Sequence, residues 1–335
     1  MTSRTLLAAS LAWCLLVPAT ATGTGDQTPP RTTHTVTSSP GKAVVVLRAT
    51  DNGLAVLRTQ YRIDGGRWLT YAATSVALLD RTLASYHRWR HIGPGEVVRL
   101  ADGSVETRGG PLGVLWYPDQ VLRDVAVTMQ WRDAKTDGCC SNAGVFVRFP
   151  DPERAVAVPR TTVLACQQSP ALVLAEWVPI SCGQEVQIND GTEDPQATGS
   201  IYNFKSLARD QARVTPQGTW NDYEIRLTGG GSYTVVVLRR GRVINAFRNS
   251  PGQSAARDGD PPTDARQFAA GYLGLQNHLD GDVVQFRNIR VRDLSPEAAA
   301  ITVTVPGRHV VEYRSTDLAG NVERIRRVTV QVTRR

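Results

Sequence analysis

The sequence has few features of a helical or membrane-embedded protein. No long stretch keeps the 3.6-residue spacing of apolar side chains that predicts an amphipathic helix. One long apolar run is present, TLLAASLAWCLLVPA near the N-terminus. It is shorter than the about 20 residues that a helix needs to cross a bilayer. We therefore exclude a helical bundle and expect no stable insertion into a membrane.

The sequence also lacks a basic stripe interleaved with aromatic residues, which is the usual mark of a nucleic-acid interface. The formal net charge is +7, but the basic residues are spread along the chain. The densest basic cluster is short and lies near the end, at Arg324, Arg326 and Arg327. We interpret the excess charge as a contribution to solubility and expect no nucleic-acid partner.

Cysteine is scarce, and its spacing does not match a zinc site. Of the five cysteines, Cys14 lies in the N-terminal apolar run, and the others are Cys139, Cys140, Cys166 and Cys182. An even number of cysteines in an exported protein favours disulfides. A bridge between the adjacent cysteines is disfavoured because such bridges are strained and rare. Two alternatives remain open: each of the adjacent pair bonds to a distant cysteine, or Cys166 and Cys182 form a single loop.

The N-terminus has the three parts of a secretory signal. Arg4 gives a positive start, the apolar run follows, and Ala19–Ala21 fits a small-x-small cleavage site. Trp13 directly before Cys14 is too bulky for lipid attachment at that cysteine. The sequence therefore predicts a signal peptide over residues 1–21 and a protein that is secreted or displayed at the cell surface after cleavage near Ala21.

The rest of the chain consists mostly of short runs rich in branched and aromatic residues. Examples are AVVVLRAT, VAVTMQW, AGVFVRF, EVQIN, YTVVVLRRG and ITVTV, with Gly, Asp, Asn and Pro turns between them. Such runs predict β-strands. Single helical turns are expected only within Arg81–Arg90 and Ala208–Ala212. The sequence therefore predicts an all-β fold of sandwich type.

The predicted strands divide the chain in an unusual way. A polar, Pro-rich linker covers residues 22–33, and about three strands each fall in residues 34–75 and 297–335. Neither end segment alone is long enough to bury a stable core. Their sequences TQYRIDGGRWLTY and GRHVVEYRSTDLAGNVE resemble the two halves of a bacterial Ig-like repeat. We therefore predict one split Ig-like β-sandwich into which residues 76–296 are inserted as a second domain.

One strand of the inserted domain carries a polar row. In the stretch CGQEVQINDG, Glu185, Gln187 and Asn189 fall on one face of a strand. Val186 and Ile188 fall on the other face, which is a core face. The polar face is therefore a candidate binding or catalytic surface, with an ordinary solvated sheet face as the alternative.

A series of local patterns supports a more specific prediction. The patterns are DGSVETRGGPLGVLWY, SNAGVFVRF, GQEVQIND, GSIYNF, TPQGTWNDYEIRL and GYLGLQNHLDGDVVQFRNIRVRDL. Their order and spacing over residues 80–295 resemble the 3-keto-disaccharide hydrolase domain family. The resemblance implies a concanavalin- or laminin-G-like jelly roll with a concave sugar-binding face. It also implies action on an oxidised carbohydrate, a glycoside that carries a ketone at the sugar 3-position.

The resemblance assigns roles to individual residues. A ketone at C3 acidifies the C2 proton, so cleavage needs a base, an acid for the leaving oxygen and a partner for the enolate. Glu185 would be the base, His278 the acid, because histidine titrates near neutral pH, and Arg148 the enolate partner. Three more side chains would orient hydroxyl groups: Gln187, Tyr202 and Asn277. Ala143 departs from the family, which more often has Ser there.

Two other functions are considered. A non-catalytic carbohydrate-binding module would use the same fold without an acid/base pair. A conventional retaining glycosidase would carry two carboxylates on one strand in the order E-x-D-x-x-E, but here Gln187 and Asp190 follow Glu185. Calcium occurs in this fold, yet the loop Asp190–Asp194 lacks a calcium-ligand spacing. We expect no cofactor to be required.

Overall fold

The computed structural model describes residues 26–334 except 53–55, 72–74, 158–165, 167–173, 192–195 and 295–299. The predicted signal peptide and part of the Asp190–Asp194 loop lie outside the described residues. The described chain is almost entirely antiparallel β-structure, so the predicted all-β fold is confirmed. In this part of the chain, no helix has the length and apolar character needed to cross a bilayer.

The central unit is a jelly-roll sandwich of two sheets. The first sheet has eight strands: β5 (Ser75–Leu79), β7 (Glu96–Arg99), β8 (Val105–Arg108), β10 (Val125–Asp133), β13 (Asn221–Thr228), β14 (Thr234–Arg239), β15 (Arg242–Arg248) and β17 (Val284–Asp293). The second sheet runs in the order β12 (Gln184–Asn189), β11 (Asn142–Phe149), β16 (Gly271–Asn277), β9 (Gly113–Leu122) and β6 (Arg90–Ile92). One apolar core fills the space between the two sheets.

The two end segments form a smaller pair of sheets. One contains β1 (Arg31–Ser39), β2 (Lys42–Thr50) and β18 (Ala300–Val303), and the other β3 (Val56–Ile63), β4 (Leu69–Thr70), β19 (Gly307–Asp317) and β20 (Arg326–Val332). Val45 and Leu47 from the first segment share a core with Val311 and Val330 from the second. Because β1 already begins at Arg31, the predicted linker is too long at its C-terminal end.

The ends of the central sandwich lie side by side. Its first strand, β5, pairs with its last strand, β17, and Ser75 lies opposite Arg292. An inserted domain needs neighbouring ends of this kind. The insertion and the Ig-like character of the host stay predictions, supported by this pairing and by the shared core.

Helical structure among the described residues is limited to short segments. These are α1 (Leu83–Tyr86), α2 (Pro152–Ala157), α3 (Trp177–Cys182) and a 3-10 helix at Thr263–Arg266. The Thr82 hydroxyl caps α1 by accepting a hydrogen bond from the Ser85 amide at 3.2 Å. α1 lies inside the predicted Arg81–Arg90 turn. The predicted turn at Ala208–Ala212 keeps only one helical hydrogen bond, from the Ala212 amide to the Ala208 carbonyl.

Cys139, Cys140, Cys166 and Cys182 form two disulfide pairs in the structure. Cys166 bonds to Cys182, as in one predicted alternative, and both are fully buried beside α3. Cys139 bonds to Cys140, so the prediction that disfavoured a bridge between adjacent cysteines is wrong. Cys139 and Cys140 lie in the loop between β10 and β11, whereas Cys182 ends α3 and packs with Cys166 and Val178.

Candidate functional site

The outer face of the five-stranded sheet is divided into an apolar and a polar part. Trp116, Phe146 and Phe149 form a small apolar cluster on this face, and Ile180 of α3 packs against it. Segment 174–182 therefore covers the apolar part. Because side chains alternate along a strand, other residues of the same strands point to this outer face, and they are polar. We call this part of the sheet the polar face; its residues are Asn142, Glu185, Gln187, Gln276 and His278.

Glu185 occupies space that a glycine leaves open. Glu185 pairs with Phe146 of β11 in the strand register, but the Glu185 side chain lies over Gly144, two residues away on β11. A Cβ atom at position 144 would lie 2.7 Å from Glu185 Cγ and 2.8 Å from Cδ. Glu185 is only 6% exposed. The predicted polar row on β12 therefore contains a nearly buried carboxylate placed over the middle of the sheet.

Backbone hydrogen bonds hold β12 in position on its outer edge. The Tyr202 amide donates to the Glu185 carbonyl at 3.0 Å, and the Gly199 amide donates to the Gln187 carbonyl at 2.9 Å. The Gln187 amide donates in return to the Ser200 carbonyl at 2.9 Å. This pairing brings the backbone of Tyr202, a half-buried residue, next to Glu185.

A buried cation accompanies Glu185. Arg266 is 3% exposed, and its guanidinium donates to the carbonyl oxygens of Ile180, at 2.6 Å, and Gly183. Burial lowers the pKa of Arg266 to about 10, while the nearby Tyr233, Asp260 and Glu185 act to raise it. Arg266 therefore places a buried positive charge in the electrostatic surroundings of Glu185. Sequence reasoning missed Arg266, because it lies in no quoted motif and meets Glu185 only through the fold.

A histidine–carboxylate pair lies at the other end of the polar face. His278 Nδ1 is 2.7 Å from Asp282 Oδ2, and His278 Nε2 is 3.3 Å from Asn142 Nδ2. Asp282 Oδ1 also accepts a hydrogen bond from the backbone N–H of Asn142 at 2.9 Å. The Asp282 carboxylate at Nδ1 fixes the orientation of the ring, and Nε2 faces the Asn142 side chain. The turn sequence HLDGD offered a signal for Asp282, four residues after the histidine.

Two amide oxygens on the polar face lack a protein partner. Gln276 Oε1 and Asn142 Oδ1 are buried and accept no hydrogen bond from any described residue. Buried acceptors are nearly always satisfied, so such atoms call for an explanation. A ligand with several hydroxyl groups would supply the missing donors. Both residues lie within quoted motifs, but sequence reasoning assigned no role to either.

Arg148 is not part of the polar face, so its predicted role as enolate partner is wrong. A bulge between Val147 and Phe149 breaks the strand alternation, and Arg148 has a φ of 61°. Its side chain is fully buried and donates to five backbone carbonyl oxygens, those of Arg123, Gly229, Gly230, Phe268 and Ala269. Arg148 therefore joins loops of the sandwich.

Asn277 is also directed away from the polar face. It follows Leu273 and Leu275 in the alternation of β16, whereas Gln276 and His278 follow the opposite face. Asn277 is fully buried, and its Nδ2 donates to the Gly109 carbonyl at 2.7 Å. The prediction that Asn277 binds substrate is therefore wrong, and Gln276 takes its place on the polar face.

Asp190 is unavailable as a second catalytic carboxylate or as a calcium ligand. Its two oxygens accept from Arg239 at 2.9 and 2.6 Å, and Thr198 donates to one of them at 2.7 Å. Arg239 is fully buried and Asp190 is 7% exposed. The ion pair thus belongs to the interior of the sandwich, which removes the basis for a conventional glycosidase built on this strand.

The strand register sets the size of the polar face. Asn142 and Gly144 are two residues apart, or roughly 7 Å along the strand. The Glu185 carboxylate lies over Gly144, and the His278 imidazole lies beside Asn142. The carboxylate and the imidazole therefore lie beside positions two residues apart on the same strand.

The fold is a jelly roll, and one face of its five-stranded sheet carries a carboxylate, amides and a histidine. Comparison with known families identifies the family. Residues 75–292, more than half of the chain, match the family described as the 3-keto-alpha-glucoside-1,2-lyase-like domain. The chain belongs to this family, and the family resemblance predicted from the sequence is confirmed.

Solved structures with similar folds are distant. A protein of Parabacteroides distasonis ATCC 8503, provisionally named a glycosyl hydrolase, is 18% identical with a TM-score of 0.47, over 66% of this chain and all of that one. A galectin-like protein of unknown function from Bacillus subtilis is 14% identical with a TM-score of 0.40, over 67% of this chain and 98% of that one. The carbohydrate-binding module CBM66 from Bacillus subtilis is 9% identical with a TM-score of 0.36, over 62% and 96%. No curated protein sequence matches the chain significantly.

Proposed function

We propose that this protein cleaves glycosides that carry a ketone at C3 of the sugar. Glu185 removes the C2 proton, and the group on C1 leaves. The observation that carries the proposal is the nearly buried Glu185, which shares a sheet face with two buried amide oxygens, on Asn142 and Gln276, that have no protein partner among the described residues. Family membership supports the substrate class.

The chemistry follows from the ketone. Removal of the C2 proton puts its electron pair into an enolate that extends to the C3 oxygen. The electrons then return to expel the C1 oxygen, which takes a proton and departs as an alcohol. The sugar remains as an unsaturated ketone, and addition of water converts it to the free 3-keto sugar. The protein must supply a base, an acid and hydrogen-bond partners.

The polar face offers these groups in separate places. Glu185 acts as the base. His278, oriented through Nδ1 by Asp282, acts as the acid in the form that carries a proton on Nε2, and it gives that proton to the leaving oxygen. Gln187 and Tyr202 orient hydroxyl groups, and the amides of Asn142 and Gln276 bind the ring. With Arg148 excluded, the amide hydrogens of this face are the donors that stabilise the enolate.

The test is turnover of a 3-keto glucoside and of the same glucoside without the ketone. The wild-type protein should release the aglycone from the first substrate alone. Glu185→Gln keeps the shape and removes the base, so the rate should fall about 10²-fold to 10⁴-fold. Glu96→Gln, an exposed glutamate outside the polar face, is the matched control and should keep the wild-type rate. Turnover of Glu185→Gln within threefold of wild type would remove Glu185 from the mechanism.

A non-catalytic sugar-binding module is the second candidate. The observation that favours it is the pair of amide oxygens on Asn142 and Gln276, which would bind hydroxyl groups without any chemistry. Binding of the 3-keto glucoside, measured by calorimetry, without aglycone release under any condition would support this function. We also propose that the protein is secreted, as the N-terminal sequence predicts. Disulfides are compatible with an exported protein.

A further inference from the structure

The Cys139–Cys140 disulfide lies at one end of the polar face. Asn142, the first residue of β11, is opposite Asn189, the last residue of β12. Cys140 precedes Asn142 by two residues, and Gly191 follows Asn189 by two. A Cβ atom on Gly191 would lie 2.8 Å from Asn189 Oδ1 and 3.8 Å from Cys140 Cβ. The disulfide therefore borders the row formed by Asn142 and Asn189.

Ser141 indicates the side of the chain on which the disulfide lies. The Ser141 hydroxyl donates to the buried Asp133 carboxylate at 2.8 Å, and Ser141 is 2% exposed. Asn142, the next residue, has its side chain 3.3 Å from His278 on the polar face. Side chains alternate along an extended chain, so Cys140 is directed to the same side as Asn142. This direction agrees with the contact between Cys140 and the end of β12.

The strand spacing places three features in order along this face. The Glu185 carboxylate lies over Gly144, the His278 imidazole lies beside Asn142, and the disulfide follows at Cys140. Successive positions in this series are two residues apart, or roughly 7 Å. In the proposed reaction Glu185 removes the C2 proton and His278 protonates the oxygen on C1. The line from C2 through C1 to the leaving oxygen therefore continues toward the disulfide.

A cavity of about 140 Å³ lies against the disulfide. Its lining includes Cys139, Cys140, Arg209, Val214 and Pro216. Hydrogen bonds fix the Arg209 guanidinium at this place, because it donates to the carbonyl oxygens of Asp190 and Gly191, the second at 3.1 Å. A cavity of about 150 Å³ is enough to hold benzene. The cavity beside the disulfide therefore has room for one six-membered ring.

Most polar groups that line this cavity already bond within the protein. Asp133 accepts three hydrogen bonds, and Asp190 is held in a buried ion pair. The side-chain amides of Asn221 and Gln217 also bond to protein atoms. The indole N–H of the buried Trp131 has no acceptor in the described part of the chain. With sulfur, carbon and few free polar atoms, the lining suits an aromatic ring better than a second sugar.

We propose that the Cys139–Cys140 disulfide and Arg209 form the subsite for the leaving group, and that this subsite favours an aromatic aglycone. The assignment rests on the proposed function, because Glu185 and His278 set the direction in which the leaving group extends. Divalent sulfur makes favourable contacts with aromatic rings. A guanidinium is attracted to the face of such a ring. A disulfide has no hydrogen-bond donor, so it offers little to the hydroxyl groups of a sugar.

The test measures the binding of three 3-keto glucosides that differ only in the group on C1, which is methyl, cyclohexyl or phenyl. Calorimetry uses the full-length mature protein with Glu185→Gln, in which turnover is suppressed. The cyclohexyl and phenyl groups are similar in size, but only phenyl has a π-system. We therefore expect the phenyl glucoside to bind more tightly than the cyclohexyl glucoside by about 2-fold to 10-fold, and the methyl glucoside to bind most weakly.

Variants in the Glu185→Gln background identify the groups that form the subsite. Replacement of both Cys139 and Cys140 by alanine should reduce the preference for phenyl over cyclohexyl and leave the affinity for the methyl glucoside unchanged. Arg209→Met keeps the aliphatic part of the side chain and should weaken phenyl binding by about 2-fold to 5-fold. Arg324→Met, an exposed arginine in the loop between β19 and β20, is the matched control and should bind all three ligands as before. Melting curves establish that each variant is folded.

Equal binding of the phenyl and cyclohexyl glucosides overturns the aromatic subsite, and binding of the methyl glucoside in the same experiment leaves the proposed function standing. An undiminished phenyl preference in the double alanine variant removes the disulfide from the subsite and also overturns it. Absence of binding by all three ligands contradicts the proposed function and the subsite together. If the double alanine variant does not fold, the comparison of ligands and Arg209→Met decide, and unchanged phenyl affinity in Arg209→Met counts against the subsite.

Discussion

Gly144 gives the sharpest test of how the polar face works, because it leaves space for Glu185 without contacting substrate through a side chain. In Gly144→Ala the new Cβ would lie 2.7 Å from Glu185 Cγ and 2.8 Å from Cδ. Ordinary contact between carbon atoms begins at about 3.5 Å. If the backbone does not shift, the Glu185 side chain must therefore move by about 1 Å.

The expected loss is in the rate. A displacement of about 1 Å in a catalytic group can cost roughly 100-fold, which is about 2.7 kcal/mol of activation free energy. The expected change in stability is small. Alanine is favoured over glycine in a strand by about 0.5–1 kcal/mol, and an off-rotamer glutamate costs about 0.5–1.5 kcal/mol. These two effects nearly cancel.

The assay measures kcat/KM for a 3-keto glucoside together with the melting temperature. Gly230→Ala is the matched control, because a Cβ atom there meets no neighbouring atom within 4 Å. We expect Gly144→Ala to be folded and about 100-fold slower, and Gly230→Ala to resemble wild type. Gly144→Ala with the wild-type rate would refute the reasoning, since the carboxylate would then not need its position over β11.

Two further predictions concern groups outside the polar face. Arg148→Met should leave five backbone carbonyl oxygens without their donor and lower the free energy of unfolding by about 3–5 kcal/mol. The kcat of the folded variant should stay within about threefold of wild type. A large loss of kcat without loss of stability would restore a catalytic role for Arg148. His309 and Asp64 form a pair in which the hydrogen bond to Asp64 raises the pKa of His309, and hydrogen bonds from Val310 and His309 lower the pKa of Asp64. The histidine contribution is present below its ordinary pKa and is lost as pH rises through the raised value, whereas the carboxylate contribution is lost as pH falls through the lowered value. The difference in melting temperature between wild type and His309→Ala should therefore be largest between about pH 4 and 6.5 and shrink on both sides, and a difference independent of pH would contradict it.

Local periodicity was sufficient to predict the fold class and the face on which Glu185 lies. The alternation of Glu185 and Gln187 with Val186 and Ile188 depends on neighbouring residues alone, and β12 is regular over its length. The same rule applied to β16 would have placed Gln276, and not Asn277, on the polar face. That error came from transferring a family motif without counting the alternation through the strand.

Arg148 shows where periodicity fails. A β-bulge inserts one residue and redirects the side chain, and nothing in the sequence AGVFVRF marks the bulge between Val147 and Phe149. Arg266 was missed for a different reason: its guanidinium reaches the Ile180 and Gly183 carbonyls, more than 80 residues earlier in the chain, only in the folded protein. Both positions depend on long-range contacts that no short window of sequence contains.

Two buried arginines, Arg148 and Arg266, each fix backbone segments of the sandwich by donating to carbonyl oxygens. Arg148 donates from its guanidinium to backbone carbonyls and so fixes the segments that precede β10 and β16. Arg266 also donates to backbone carbonyls, at Ile180 and Gly183, directly before β12, but its charge remains close to Glu185. The position of the candidate base is thus determined by backbone bonding from a buried cation on one side and by the missing side chain of Gly144 on the other. Because neither constraint comes from a residue that touches substrate, the geometry of Glu185 is set before any sugar binds, which is the preorganisation that a proton-abstracting carboxylate requires.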